Sequence, residues 1–147
     1  MILTKFGIYL QKDCPKNLNT NIPYNFSSPL YNKALDIFAI SRNISNYMMD
    51  DLNALCIHGK EDSNIYFTGD IVQQSVSLAP GILKAEHQVF SEDKHRYAAS
   101  VRNLTNLLDK NCDRLERCNS NGKEFIKVLR IELKKFKKLQ RNWLLTL

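Results

Sequence analysis

Residues 91–118 read SEDKHRYAASVRNLTNLLDKNCDRLERC, and this stretch decides the fold. Tyr97, Val101, Leu104, Leu108, Cys112, Leu115 and Cys118 recur every third or fourth residue, which at ~3.6 residues per turn makes about six turns of amphipathic helix. Ser91 stands where an N-cap belongs, and Glu92 and Asp93 suit the positive end of a helix dipole. Arg102, Asp109, Lys110, Asp113, Arg114, Glu116 and Arg117 interleave both signs of charge, as a solvated face normally does. Cys112 and Cys118 read as small buried hydrophobes.

Outward from this helix the pattern repeats. Downstream, Asn119-Ser120-Asn121-Gly122 breaks the chain, and Phe125, Leu129, Phe136, Leu139 and Trp143 lie along one side of a last helix of about 25 residues. Upstream, a helix from about Thr68 to Val89 carries Ile71, Val72, Val76, Ala79, Leu83 and Glu86, with a kink expected at Pro80 because proline removes a backbone donor. Before a polar loop at His58-Gly59-Lys60-Glu61-Asp62-Ser63-Asn64, a first helix opens at Ser28-Pro29, with Ser28 as N-cap and Pro29 at the first helical position. Its stripe is Ala34, Ile37, Ile44, Met48, Leu52 and Leu55, with Ser41 filling one gap. Four amphipathic segments on short links predict an all-α, up-down-up-down four-helix bundle over residues 29–147. Residues 1–28 differ in character. Alternating Ile2, Thr4, Phe6 and Ile8 precede Pro15, Pro23 and four asparagines, so this segment reads as an irregular N-terminal arm.

The 147 residues are 44% hydrophobic and 24% charged, which makes one domain able to bury a core and excludes wholesale disorder. No apolar run approaches the ~20 residues that cross a bilayer. Lys5 interrupts the apolar start, and no signal-peptide cleavage pattern follows, so the expected compartment is the cytoplasm. The four cysteines contain no CxxC pair, which signals neither a zinc knuckle nor a redox site. Glu92 and His95 have E-x-x-H spacing, but a di-metal bundle needs two such pairs and further inward glutamates. Cys56-Ile57-His58 likewise lacks a second half. There is no nucleophile elbow, P-loop or dinucleotide fingerprint. No catalytic residue, metal or cofactor is expected.

Charge carries the functional signal. Residues 1–122 hold 13 Lys+Arg against 13 Asp+Glu, whereas residues 123–147 hold 8 against 2, so the whole net charge of +6 sits in the last segment. With Phe125 at 0° and ~100° per residue, the expected apolar stripe of the last helix centres near roughly 15°. Lys123, Lys127, Arg130, Lys134, Lys137, Lys138 and Arg141 then fall between about 120° and 220°, opposite the core. Lys135 flanks the arc, and Glu132 points to the core edge, toward a cation on another helix. Like charges at i,i+4 repel, so a one-sided row predicts an anion lying over it. No aromatic ring is interleaved among these cations. The seven are therefore expected to grip phosphates, in RNA or DNA, largely without reading bases.

From Pro29 onward the chain resembles a superfamily of small four-helix bundles. One branch comprises the accessory variability determinant proteins of diversity-generating retroelements, and the other the proteins encoded in intervening sequences of large-subunit ribosomal RNA genes. Pro29-Leu30-Tyr31-Asn32-Lys33-Ala34 is similar to the opening of the first helix in the accessory branch. Phe136-Lys137-Lys138-Leu139-Gln140-Arg141-Asn142-Trp143 is similar to its basic, Trp-containing last helix. Ser77-Leu78 and Pro80 resemble the second helix of the ribosomal branch, although His87 stands where that branch has Gly. The resemblance implies a closed homopentamer without a catalytic centre. It also implies binding to nucleic acid through positive surfaces and association with a reverse transcriptase during mutagenic cDNA synthesis.

Other readings weigh against it: an RNA-binding bundle of the ribosomal type, a protein-interaction scaffold, and attachment to a membrane surface. The last ranks lowest because the apolar side of the basic helix is committed to the core. Phe38, Ile40, Ile131 and Leu145 lie off the main stripes and are expected to add apolar surface for self-association.

Overall fold

A computed structural model describes residues 28–54 and 62–147. The N-terminal arm, Leu55, Cys56-Ile57-His58 and most of the expected polar loop lie outside the described residues. Of the described residues, 87% are helical, and none is in a strand. The elements are α1 (Pro29–Ala54), α2 (Asn64–Val76), α3 (Leu78–Glu86), α4 (Ser91–Glu116) and α5 (Lys123–Thr146). With α2 and α3 as the two halves of one interrupted arm, the chain is an all-α helical bundle. Each arm packs on its neighbours in sequence, and α5 closes back onto α1.

Local chemistry explains the helix ends. At the start of α1, Asn32 donates to the Ser28 carbonyl at 3.0 Å, and Pro29 occupies the position where a missing N–H costs nothing. The Asp62 carboxylate accepts from the Asn64 backbone at 2.8 Å, putting an acid at the positive end of α2. The break in the second arm falls at Ser77, one turn before the position expected from the proline. Pro80 has no N–H to give the Val76 carbonyl, so the first helix stops at Val76, and Pro80 becomes the third residue of α3. There, no intrahelical donor is required of it. Gly81 resumes the ladder by donating to Ser77 at 3.1 Å. A Cβ on Gly81 would stand 2.9 Å from Val101, so the glycine permits close approach of α3 to α4.

Phe90, in extended conformation, is the N-cap of α4. Ser91 is thus its first helical residue and does not cap it, while Glu92 and Asp93 do occupy the first turn. The turn before α5 is tied to the end of α1. Asp51 accepts from Ser120 Oγ at 2.5 Å and from the Asn121 backbone at 3.0 Å, and Gly122 donates to Ser120 Oγ at 3.0 Å.

The core contains Ala34, Ile37, Ile44, Met48 and Leu52 from α1, with Val101, Leu108, Cys112 and Leu115 from α4. Ser41 is buried in the α1 stripe, Tyr97 and Leu104 are half-buried, and Cys118 is buried after α4. In the second arm the buried residues are Ile65, Thr68, Ile71, Ser75, Leu78, Ala79, Ile82 and Ala85. Val76 is exposed and Leu83 half-buried, because the break at Ser77 resets the helical phase. Thr68, Ser75 and Thr105 are buried although polar, since each hydroxyl donates to a carbonyl of its own helix. Ile40 is buried inside the bundle, so it adds no outer apolar surface, and Phe38 is half-buried; Ile131 and Leu145 are exposed. Burial pushes the Cys112 thiol up to about 12, with the nearby Asp109 carboxylate adding to the effect. Burial raises the Cys118 thiol as well.

Candidate nucleic-acid interface

The phase of α5 decides which cations face outward. Its buried residues are Ile126, Leu129, Leu133, Phe136, Gln140 and Trp143, centred near roughly 50° on the scale used above. Phe125 is exposed and Leu139 half-buried. The helix is turned by about 35° from the sequence expectation, which carries the near edge of the basic arc into the seam with α4. Trp143 Nε1 donates to Glu86 at 3.0 Å and fixes this end of α5 against α3.

That turn divides the seven expected site residues. Arg130 donates to Glu116 at 2.7 Å, lies 2.8 Å from Asp113 and 3.9 Å from Asp109. Burial alone would lower its guanidinium, but the three carboxylates outweigh it and raise its pKa. Lys137 donates to Asp109 at 2.6 Å. These two cations are therefore engaged within the fold. Lys127 makes an i,i+3 pair with Glu124 at 3.1 Å, both side chains well exposed, and such a pair is weak and screened. Lys134, Lys138 and Arg141 are exposed, Lys123 is half-buried, and none of the four makes an ion pair among the described residues.

On the other flank, Glu132 does meet a cation of another helix. Lys33 of α1 donates to it at 2.7 Å, and Lys135 at 2.9 Å. Burial would raise the Glu132 carboxyl, but the two ammonium groups outweigh it and hold it below its ordinary value. The same bond to Glu132 raises Lys33.

Along the α4–α5 seam, beyond Lys137, lies a pocket of about 450 Å³ lined by Arg102, Asn106, Lys134, Lys137, Gln140, Arg141 and Leu144. Arg102 is exposed and makes no ion pair among the described residues. Gln140 is only 3% exposed, and its Nε2 has no hydrogen-bond partner. Arg102, Asn106 and Gln140 are additions to the residues read from the sequence. Nothing in the chain pairs them until the register of α4 on α5 is known.

Among the described residues, no group of three or more His, Cys, Asp and Glu side chains could hold a metal ion. No helix among them is long and apolar enough to cross a membrane. No protein-family model, curated protein or solved structure matches the chain.

Proposed function

We propose that this protein is a non-catalytic nucleic-acid-binding bundle that holds phosphate backbone on α5. Following the resemblance, it acts as a homopentameric accessory to the reverse transcriptase of a diversity-generating retroelement. The supporting observation is the unequal fate of the cations. Arg130 and Lys137 are satisfied by α4, whereas Lys123, Lys134, Lys138 and Arg141, with Arg102, have no internal counter-charge among the described residues. Uncompensated neighbours such as Lys134 and Lys138 repel at i,i+4 and are relieved by an external polyanion. No aromatic side chain lines the pocket, so backbone contact fits better than base stacking.

Filter binding on duplex and single strands of RNA and DNA tests the reading. Lys134→Glu with Lys138→Glu should abolish binding at unchanged helical content; normal binding by this double variant would refute it. Co-purification with the reverse transcriptase tests the partner, and light scattering tests the pentamer. A second reading, a scaffold that docks a protein, is favoured by one patch. Tyr47 and Phe125, both about half exposed, stack edge to face at 5.4 Å beside exposed Val128. Failure of every nucleic acid to bind would favour the scaffold.

A further inference from the structure

The pocket in the α4–α5 seam differs from the open face of α5. It is concave, and its volume of about 450 Å³ falls within the range of small-molecule sites, about 300–1,000 Å³. Four of its seven lining residues are cations: Arg102, Lys134, Lys137 and Arg141. Lys137 is held in place by Asp109, while the other three make no ion pair among the described residues. Gln140 takes a core position on α5 with an unpartnered amide nitrogen. An apolar residue would fill that position without the cost of an unmade hydrogen bond. A half-turn of the amide exchanges its donor and acceptor ends, so the donor can serve a ligand in the pocket.

We infer that this pocket binds a terminal phosphate, a phosphomonoester carried by a nucleotide-sized body. The monoester carries more charge than a backbone diester and offers three terminal oxygens, which suits several converging donors. The room beyond a bare phosphate, with Leu144 as an apolar wall and the Asn106 amide alongside, accommodates the attached nucleoside. The inference rests on the reading of α5 as a phosphate-binding surface. It adds that one place along the seam recognises an end. The same chemistry is offered by a free nucleoside monophosphate and by the phosphorylated end of a strand.

Titration calorimetry on the full chain separates the possibilities, using a nucleoside monophosphate, the matching nucleoside, and one oligonucleotide with and without a 5′-phosphate. The monophosphate should bind and the nucleoside should not. Gln140→Leu and, separately, Arg102→Ala should each weaken monophosphate binding about tenfold, the loss of one charge-assisted contact. Gln140→Leu should leave the 5′-hydroxyl oligonucleotide nearly unaffected, whereas Arg102→Ala, which also removes one of the cations open to the backbone, should weaken it by less than it weakens the monophosphate. Arg102 is exposed, so its variant remains informative if Gln140→Leu perturbs the fold. If the 5′-phosphate tightens oligonucleotide binding in wild type but not in these variants, the strand end is the ligand; if only the free monophosphate responds, it is a small molecule. Equal binding of nucleoside and monophosphate, or wild-type monophosphate affinity in Arg102→Ala, would overturn the proposal. Lys127→Glu with Lys138→Glu touches only the open face. Its failure to weaken the 5′-hydroxyl oligonucleotide would count against the backbone reading and leave the pocket standing.

Discussion

The two halves of the α4–α5 seam are built from one pair of helices and one repeating pattern, yet they behave oppositely. Along α4, positions 102, 106, 109, 113 and 116 lie on a single stripe, because each step is three or four residues. In the closed half the stripe is Asp109, Asp113 and Glu116, and it captures Arg130 and Lys137. In the open half it is Arg102 and Asn106, and Lys134 and Arg141 share a pocket with them uncompensated. Similar cations on α5 thus serve as mortar in one half and as potential in the other. What the facing helix offers decides which.

The comparison can be broken most forcefully by copying the acidic stripe upward. Arg102→Asp with Asn106→Asp would give Lys134 and Arg141 internal partners. Polyanion affinity should fall about 100-fold, with thermal stability unchanged or higher. Binding at wild-type strength by this variant would show that the open half is not the interface.

The converse experiment empties the closed half. Arg130→Met leaves Asp109, Asp113 and Glu116 clustered without their central cation. Because the guanidinium is about a third exposed, the expected cost is reduced by solvent screening to roughly 1–2 kcal/mol. Denaturant unfolding would measure it. Polyanion affinity should change by less than about twofold, since Arg130 has no phosphate to lose.

Salt dependence sharpens the count. Seven phosphate contacts on a duplex would give a logarithmic slope near −6, whereas the five cations without internal partners, together with the weakly paired Lys127, give about −5.4 per protomer. A slope of about −7 in a protein shown to bind as a monomer would mean that Arg130 and Lys137 leave their carboxylates on binding.

The smallest effect belongs to the α1 side of α5. Glu132 is held below its ordinary value of 4.5, so its contribution is present above that pH and lost as pH falls through the lower folded value. Lys33 is raised above 10.5, so its contribution is present below 10.5 and lost as pH rises through the higher folded value. Lys33→Met should flatten both limbs of a melting-temperature profile. An unchanged profile would show that the Lys33–Glu132 contact contributes nothing in solution.

Much of this was legible in the sequence. The helices, their count of arms and the α4 core follow from periodicity, and the pairing of Glu132 with another helix follows from its place at the core edge. Phe125 and Leu139, large and apolar, pull the expected phase of α5 away from its buried line, which runs through Ile126 and Leu133 and carries a polar residue at Gln140. The acidic stripe of α4 is visible as spacing, but its capture of Arg130 depends on the register between two helices, which no local pattern encodes. The pocket was hidden for the same reason. The break at Ser77 shows a subtler limit: proline fixes where a donor is missing, while the chain chooses whether to bend there or to begin a new helix one turn earlier.

The buried thiol of Cys112 makes the closed half observable in time. With its pKa pushed up to about 12 and no exposed surface, it presents almost no thiolate to reagent at neutral pH while the seam is shut. Alkylation must wait for an opening, so its rate is the opening equilibrium multiplied by the chemistry of a free cysteine. Cys118, beyond the end of α4 near the turn latched by Asp51, keeps a second clock for a different place. The ratio of the two rates, followed while polyanion is added, reports whether a ligand on the outer face tightens the layer beneath it or leaves it breathing.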